Sequence, residues 1–329
     1  MNLRSLSLAL LAVCLSSETA CAVPVFLENV SETSGWYDCN KKTKWDWGSI
    51  SNRPSEYYKL PLDSQLCWAA AASNVLQWWQ DTRSDRDPAT PNGKSATYAA
   101  MPEVGQLAIY YTIANNWTDA GGSVEQAYNW WFNGSALPSV FFPTDSQIRD
   151  QPVFSPASPG GYWKELDMNV TYTPGGVADA PLFNSYTFYN HDDRNGVYGI
   201  LKNNINNNWG TTLTIGQAGR GHAITMWGYD TDADGNLIVY LTDSDDYAVG
   251  MFRQKVVVDD QKYVYLTSLD GEKNVYGYSY EEPGLTGCQV GEIQGFTAPL
   301  GDLRIPEPST GVLAFCGLFL PLWLRRRRL

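Results

Sequence analysis

An α+β fold is the class this sequence predicts, on two observations: helix-like patterning comes first along the chain, and strand-like patterning follows it. Ser64 to Gln80 (SQLCWAAAASNVLQWWQ) is alanine-rich, with Asp63 and Ser64 as candidate caps, Cys67 in the first turn, and Leu66, Ala70, Val75, Leu76 and Trp79 as apolar positions. Val124 to Phe132, with Tyr128 and Trp131 inward, and Gly196 to Asn206, ending in an asparagine-rich turn, read as two further helices. From there Thr211 to Ile215, His222 to Tyr229 and Leu237 to Thr242 are β-rich. The Asp234-Gly235 step between the last two predicts a hairpin turn. Lys255 to Val258 and Lys262 to Leu266 extend an antiparallel sheet, while Ser51 to Lys59 and Arg83 to Ser95 are polar loops. No internal repeat is evident.

The two ends set the compartment. Residues 1 to 22 carry an early charge at Arg4, an apolar run from Leu6 to Leu15, and Ala20 and Ala22 before Val23, the pattern of a secretory signal. At the other end, Pro306-Glu307-Pro308 precedes an apolar run from Val312 to Leu324 and four arginines, Arg325 to Arg328. The positive-inside tendency leaves those arginines cytoplasmic and the rest outside. The run is short for a bilayer span, which takes roughly 17 to 25 residues. This order resembles the PEP-CTERM sorting signal of Gram-negative bacteria, and the resemblance implies an exosortase-type sorting enzyme as a partner. Transient membrane association through the tail would then precede its removal. The expected organisation is a signal peptide over 1–22, a catalytic domain over 23–303 and a sorting segment over 304–329. The product would be exported, to stay at the cell surface, in the extracellular matrix, or secreted.

Without Arg4, Glu18 and Arg325 to Arg328 the chain holds 18 basic against 34 acidic residues, a charge of −16. That excludes a nucleic-acid partner, which selects a basic footprint. Six cysteines fall to three, Cys39, Cys67 and Cys288, once those in the sorting segments leave. An odd number in an oxidising compartment leaves a thiol over. If Cys39 pairs with Cys288, that thiol is Cys67.

A thiol at a helix N-terminus sits where backbone N–H groups favour the thiolate. Cys67 is placed there, against the alternative of a buried structural cysteine. Its base must be one of two histidines. His191 lies in a polar loop, whereas His222 opens an apolar strand after Gly219-Arg220-Gly221. The hairpin at Asp234-Gly235 brings Asp243 and Asp245 toward the His222 end, where a carboxylate could accept the second ring N–H. Trp68-Ala69 after the cysteine is similar to papain-like peptidases, but Pro61 stands where those enzymes carry a glutamine, and Gln65 is too close. Asp230, Asp232, Asp234 and Gly235 match half of a calcium loop, yet the twelfth position is Leu241 rather than glutamate, which favours a plain hairpin.

Three blocks make the resemblance specific. They are Gly35 to Lys41 (GWYDCNK); Leu66-Cys67 with Ala69-Ala70 and Asn74 to Trp79; and His222 to Asp230, continuing through Gly235-Asn236-Leu237 to Thr242-Asp243-Ser244-Asp245 and Gly250-Met251. Together they resemble the immunoglobulin-degrading cysteine peptidases first known from streptococci, the IdeS/Mac family. The resemblance implies a papain-like fold, with the nucleophile helix in an N-terminal helical part and the His/Asp pair on a C-terminal antiparallel sheet. It puts the nucleophile on Cys67, the base on His222, supporting carboxylates on Asp243 and Asp245, and an oxyanion-stabilising lysine on Lys41, with Lys42 the alternative if the alignment slips by one. Two departures are an insertion between Lys42 and Leu62 and Trp68 in place of a glycine, so the immunoglobulin preference transfers least. The implied function is an exported endopeptidase acting on a protein substrate without cofactor or metal. Its rivals are a cell-wall amidase and a silent binding module.

Overall fold

The computed structural model describes residues 23–42, 62–98, 107–117, 119–134, 160–173, 176–179, 181–187, 194–217, 220–245, 249–258, 263–269, 280–282 and 285–301. The expected signal peptide, the sorting segment, the loop at Ser51 to Lys59, His191 and the whole insertion between Lys42 and Leu62 lie outside these residues.

The described helices are α1 (Cys67–Asp81), α2 (Ala108–Asn116), α3 (Val124–Asn133) and α4 (Arg194–Asn206). The strands are β1 (Val25–Phe26), β2 (Thr171–Thr173), β3 (Gly176–Asp179), β4 (Phe183–Thr187), β5 (Gly210–Gln217), β6 (Arg220–Thr231), β7 (Leu237–Thr242), β8 (Phe252–Val258), β9 (Val264–Ser268), β10 (Tyr280–Glu282) and β11 (Leu285–Phe296). Among them β6, β5, β11, β9, β8 and β7 pair in that order, and β7 pairs back onto β6. Six antiparallel strands therefore close into a barrel, with β1 added to β6 and both β4 and β10 added to β11. This corrects the expected papain-like α+β architecture: the described residues are mostly β, built on a closed barrel. Closure removes the open edges that a sheet would otherwise have to protect.

Helix α1 lies between the barrel and helices α2 and α3, packing on β6 and β5 at one side and on α2 and α3 at the other, while α4 packs on β5, β1 and β6. Every residue from Trp68 to Gln80 is buried. A helix buried on all sides must satisfy its polar residues internally. Asn74 does so by accepting from the Cys39 N–H at 2.9 Å and donating to Thr225 Oγ1 at 3.1 Å. Gln77 donates to Asp81 and Asn92, and Gln80 to the Pro91 carbonyl. Trp79 of α1 meets Trp163 and Phe296 edge-on, Phe132 meets Phe296 edge-on, and the Trp79–Phe132 and Phe132–Trp163 pairs are tilted.

The close fit of α1 to the barrel depends on Gly210, where a Cβ would sit 2.3 Å from Val75 Cγ1. Gly210→Ala is expected to destabilise the protein by about 1–3 kcal/mol through overpacking. Denaturant melts should show that loss, and Val75→Ala in the same background should recover part of it.

The β6–β7 turn is the hairpin the Asp234-Gly235 step predicts, with Gly235 at φ 78°. Asp232 caps it, accepting from the backbone N–H of Asp234 at 3.0 Å and of Asn236 at 2.8 Å. No described helix is long and apolar enough to cross a membrane.

Candidate active site

The register of β6 assembles the site. Thr242, the last residue of β7, pairs with Thr225, so the chain that follows runs back along β6 toward His222. Asp243 and Asp245 are thereby delivered to the histidine. A third segment closes the cluster: Thr242 Oγ1 donates to the Tyr37 carbonyl at 3.0 Å, and the Lys41 N–H donates to the Ser244 carbonyl at 2.8 Å. All five sequence-predicted residues, Lys41, Cys67, His222, Asp243 and Asp245, converge here.

His222 Nε2 lies 2.5 Å from Asp243 Oδ1, and Nδ1 lies 3.5 Å from Asp245 Oδ2. The Asp245 N–H also donates to Asp243 Oδ1 at 2.9 Å, which fixes that carboxylate against the ring. With Nε2 committed to Asp243, Nδ1 is the nitrogen left for the Cys67 thiol, to which His222 is hydrogen-bonded. Burial disfavours the charged imidazolium, but Asp243 and Asp245 outweigh it and hold its pKa well above the ordinary 6.5. Burial likewise opposes the Cys67 thiolate, yet His222, Lys41 and the Ala223 N–H together bring the thiol below its ordinary 9.0. The two shifts have opposite signs: the two carboxylates hold the imidazolium, the imidazolium and Lys41 hold the thiolate, and the Cys67–His222 hydrogen bond contributes to both.

Cys67 is the first residue of α1, whose N-cap, Leu66, supplies no side-chain hydrogen bond. The predicted caps are employed elsewhere. Asp63 accepts from the Lys42 N–H at 2.7 Å and from Tyr110 Oη at 3.0 Å. Ser64 donates to Asp119 at 2.6 Å while its carbonyl accepts from Lys41 Nζ at 2.6 Å. The helix accordingly begins at Cys67 rather than Ser64, and the N–H groups of its first turn have no intrahelical acceptor. Those donors sit beside the sulfur.

Lys41 is only 1% exposed and pairs with Asp245 at 2.7 Å. Burial works against its charge, but Asp245 and then Cys67 outweigh it and keep it protonated. The alternative Lys42 is tied through its main chain to Asp63 instead.

None of Cys39, Cys67 and Cys288 is in a disulfide, so the conditional Cys39–Cys288 pairing is not made. Cys39 is fully buried, and its thiol is pushed well above the usual range by that burial. Cys67 is partly exposed. Trp68, which stands where the resemblance has a glycine, turns into the core: it is buried, donates to the Ala120 carbonyl at 3.1 Å and meets Trp117 edge-on. Sequence reasoning took Asp63 only as a helix cap and Asn74 only as part of a block of resemblance, and it missed Asp119; the three hold the lysine segment and the start of α1. A polar Asn74 amid the alanines was the available signal.

No family model matches this chain, and no curated protein matches it either.

Proposed function

We propose that this chain is a cysteine peptidase cleaving a protein substrate outside the cytoplasm. The observation that carries the reading is a partly exposed thiol, lowered in pKa, hydrogen-bonded to a histidine raised in pKa at an uncapped helix N-terminus. Such a pair supplies both the nucleophile and the acid that acyl transfer needs.

In this reading Cys67 Sγ attacks the peptide carbonyl. Negative charge moves to the carbonyl oxygen, where the Cys67 N–H and the Lys41 ammonium hold it. His222 passes its proton to the departing amine, leaving a thioester on Cys67. Water then attacks the thioester while giving a proton to His222, and the tetrahedral species collapses to release the carboxylate product and regenerate the thiolate. Asp243 orients the ring and stabilises the imidazolium throughout, and Asp245 bridges the histidine to Lys41. The chemistry proposed is that of the immunoglobulin-degrading cysteine peptidases; their architecture is not part of the proposal. Export rests on the sequence pattern of the two ends.

Among the three cysteines of residues 23–303, an electrophilic thiol probe should label Cys67 alone, because Cys39 and Cys288 are buried. In a proteomic cleavage screen, wild type should create new protein N-termini and Cys67→Ala none. Release of peptide stems from peptidoglycan with no protein cleavage would make the enzyme an amidase instead. Labelling without any hydrolysis would leave a binding module.

A further inference from the structure

Beside the nucleophile, three strands carry a row of side chains on one barrel face. Ala223 follows His222 and its N–H reaches the Cys67 sulfur. Across the sheet Ala223 pairs with Thr214 on β5, and Thr214 pairs with Glu292 on β11. Paired residues point to the same face, so the Glu292 carboxyl stands about 10 Å, two strand spacings, along the row from Ala223. Thr214 Oγ1 is 3.4 Å from Glu292 Oε2, which also accepts from Gln294 Nε2 at 3.0 Å. Thr214 and Glu292 are both partly open to solvent. Ala223 is small and buried, and Thr214 is the one side chain between it and Glu292 on the row.

The far wall brings a second acid. Trp68 packs against Gly122, where a Cβ would sit 2.5 Å from its ring, and α3 starts two residues later. Glu125, in the first turn of α3, is 3% exposed. One of its oxygens accepts from Ser185 Oγ at 2.5 Å. The other, Oε2, is buried with no hydrogen-bond partner among the described residues. A buried carboxylate oxygen left without a donor is costly, and a ligand that brings a donor removes that cost.

We propose that this row is a substrate subsite in which Glu292, backed by Glu125, receives a lysine or arginine side chain next to the scissile bond. The proposal rests on the peptidase reading above. Burial, and then the Glu125 carboxylate, push Glu292 up to about 7, so the two acids repel each other while the site is empty. A cation between them relieves both. Arginine suits the place best, because its planar fork can donate to two carboxylates at once. Neutral Thr214, Thr212 and Gln294 complete the floor without a competing positive charge: Gln294 Nε2 donates to Thr214 Oγ1, and Thr212 Oγ1 to Gln294 Oε1, each at 3.0 Å.

The test uses peptidyl vinyl sulfones that place arginine or norleucine at successive positions before the electrophile, together with matched fluorogenic peptides. The full chain and its Glu292→Gln and Glu125→Gln variants are compared, with thermal melts to show that each folds. At one position the arginine probe should label Cys67 at least about tenfold faster than norleucine, the scale of one charge-assisted hydrogen bond. Glu292→Gln should bring that ratio close to one by slowing the arginine probe alone. Equal labelling by the two probes in wild type, or a preference that survives Glu292→Gln, overturns the proposal. An arginine preference in labelling without peptide turnover leaves the subsite standing and removes the peptidase reading. Turnover with no preference does the reverse.

Discussion

His222→Ala is expected to reduce turnover by about 10²- to 10⁴-fold, the range of a positioned general acid–base. It should also displace the ionisation of Cys67. Of the influences that lower the thiol, the two largest come from His222, and once they are gone burial weighs more heavily. The pH profile of iodoacetamide labelling should therefore have its midpoint below 9.0 in wild type and at a higher pH in His222→Ala. Both effects belong to one cause, and a purely structural histidine would move only the first. His191→Ala should leave rate and profile within a few-fold. Lost turnover with an unmoved labelling midpoint would show that His222 does not share a proton with the sulfur.

The same shifts set the pH dependence of stability. His222 is raised above its ordinary 6.5, so its ion pairs stabilise the fold fully below that pH and fail as pH rises through the raised value. Cys67 is lowered below 9.0, so its contribution is complete above that pH and disappears as pH falls through the lowered value. Both groups are charged in the interval between. Activity should peak there, with a thiol protonation limb on the acid side and an imidazolium deprotonation limb on the alkaline side.

The site was more legible in the sequence than the fold. Only two histidines compete for the role of base, and a hairpin signal at Asp234-Gly235 fixes which carboxylates return to His222. Both are local facts. Barrel closure depends instead on β11 pairing both with β9 and with β5, the latter separated from it by a long stretch of chain. In β11 the sequence LTGCQVGEIQGF carries three glycines and the polar Gln289, Glu292 and Gln294, which breaks the alternation that marks a strand. Helix α2 was missed as well, since Ala108–Asn116 is short and lacks a capping side chain. The misplaced start of α1 has a different origin. Asp63 and Ser64 are good caps by type, but tertiary contacts with Lys42, Tyr110, Asp119 and Lys41 claim them. The residues diverted from capping are those that leave the nucleophile's helix open.

Lys41 is where structural and chemical demands meet, and its replacement should show both. Lys41→Met removes the counter-ion of a buried Asp245, and breaking such a pair typically costs about 3–5 kcal/mol. It also removes an oxyanion donor, for which the typical loss is about 10²- to 10³-fold in rate. A single variant cannot separate the two. Lys41→Met combined with Asp245→Asn removes both charges, so the orphaned carboxylate disappears and most of the lost stability should return. The ammonium does not return, and kcat should remain at least about 100-fold below wild type on the scale of one oxyanion donor, with KM little changed. Asp245→Asn alone supplies the control, because it also withdraws one of the carboxylates that keep His222 protonated. Melting curves and steady-state kinetics on the three variants decide the matter. If the double variant recovers kcat along with its stability, or if Lys41→Met raises KM and leaves kcat intact, Lys41 is the partner of Asp245 and takes no part in holding the oxyanion.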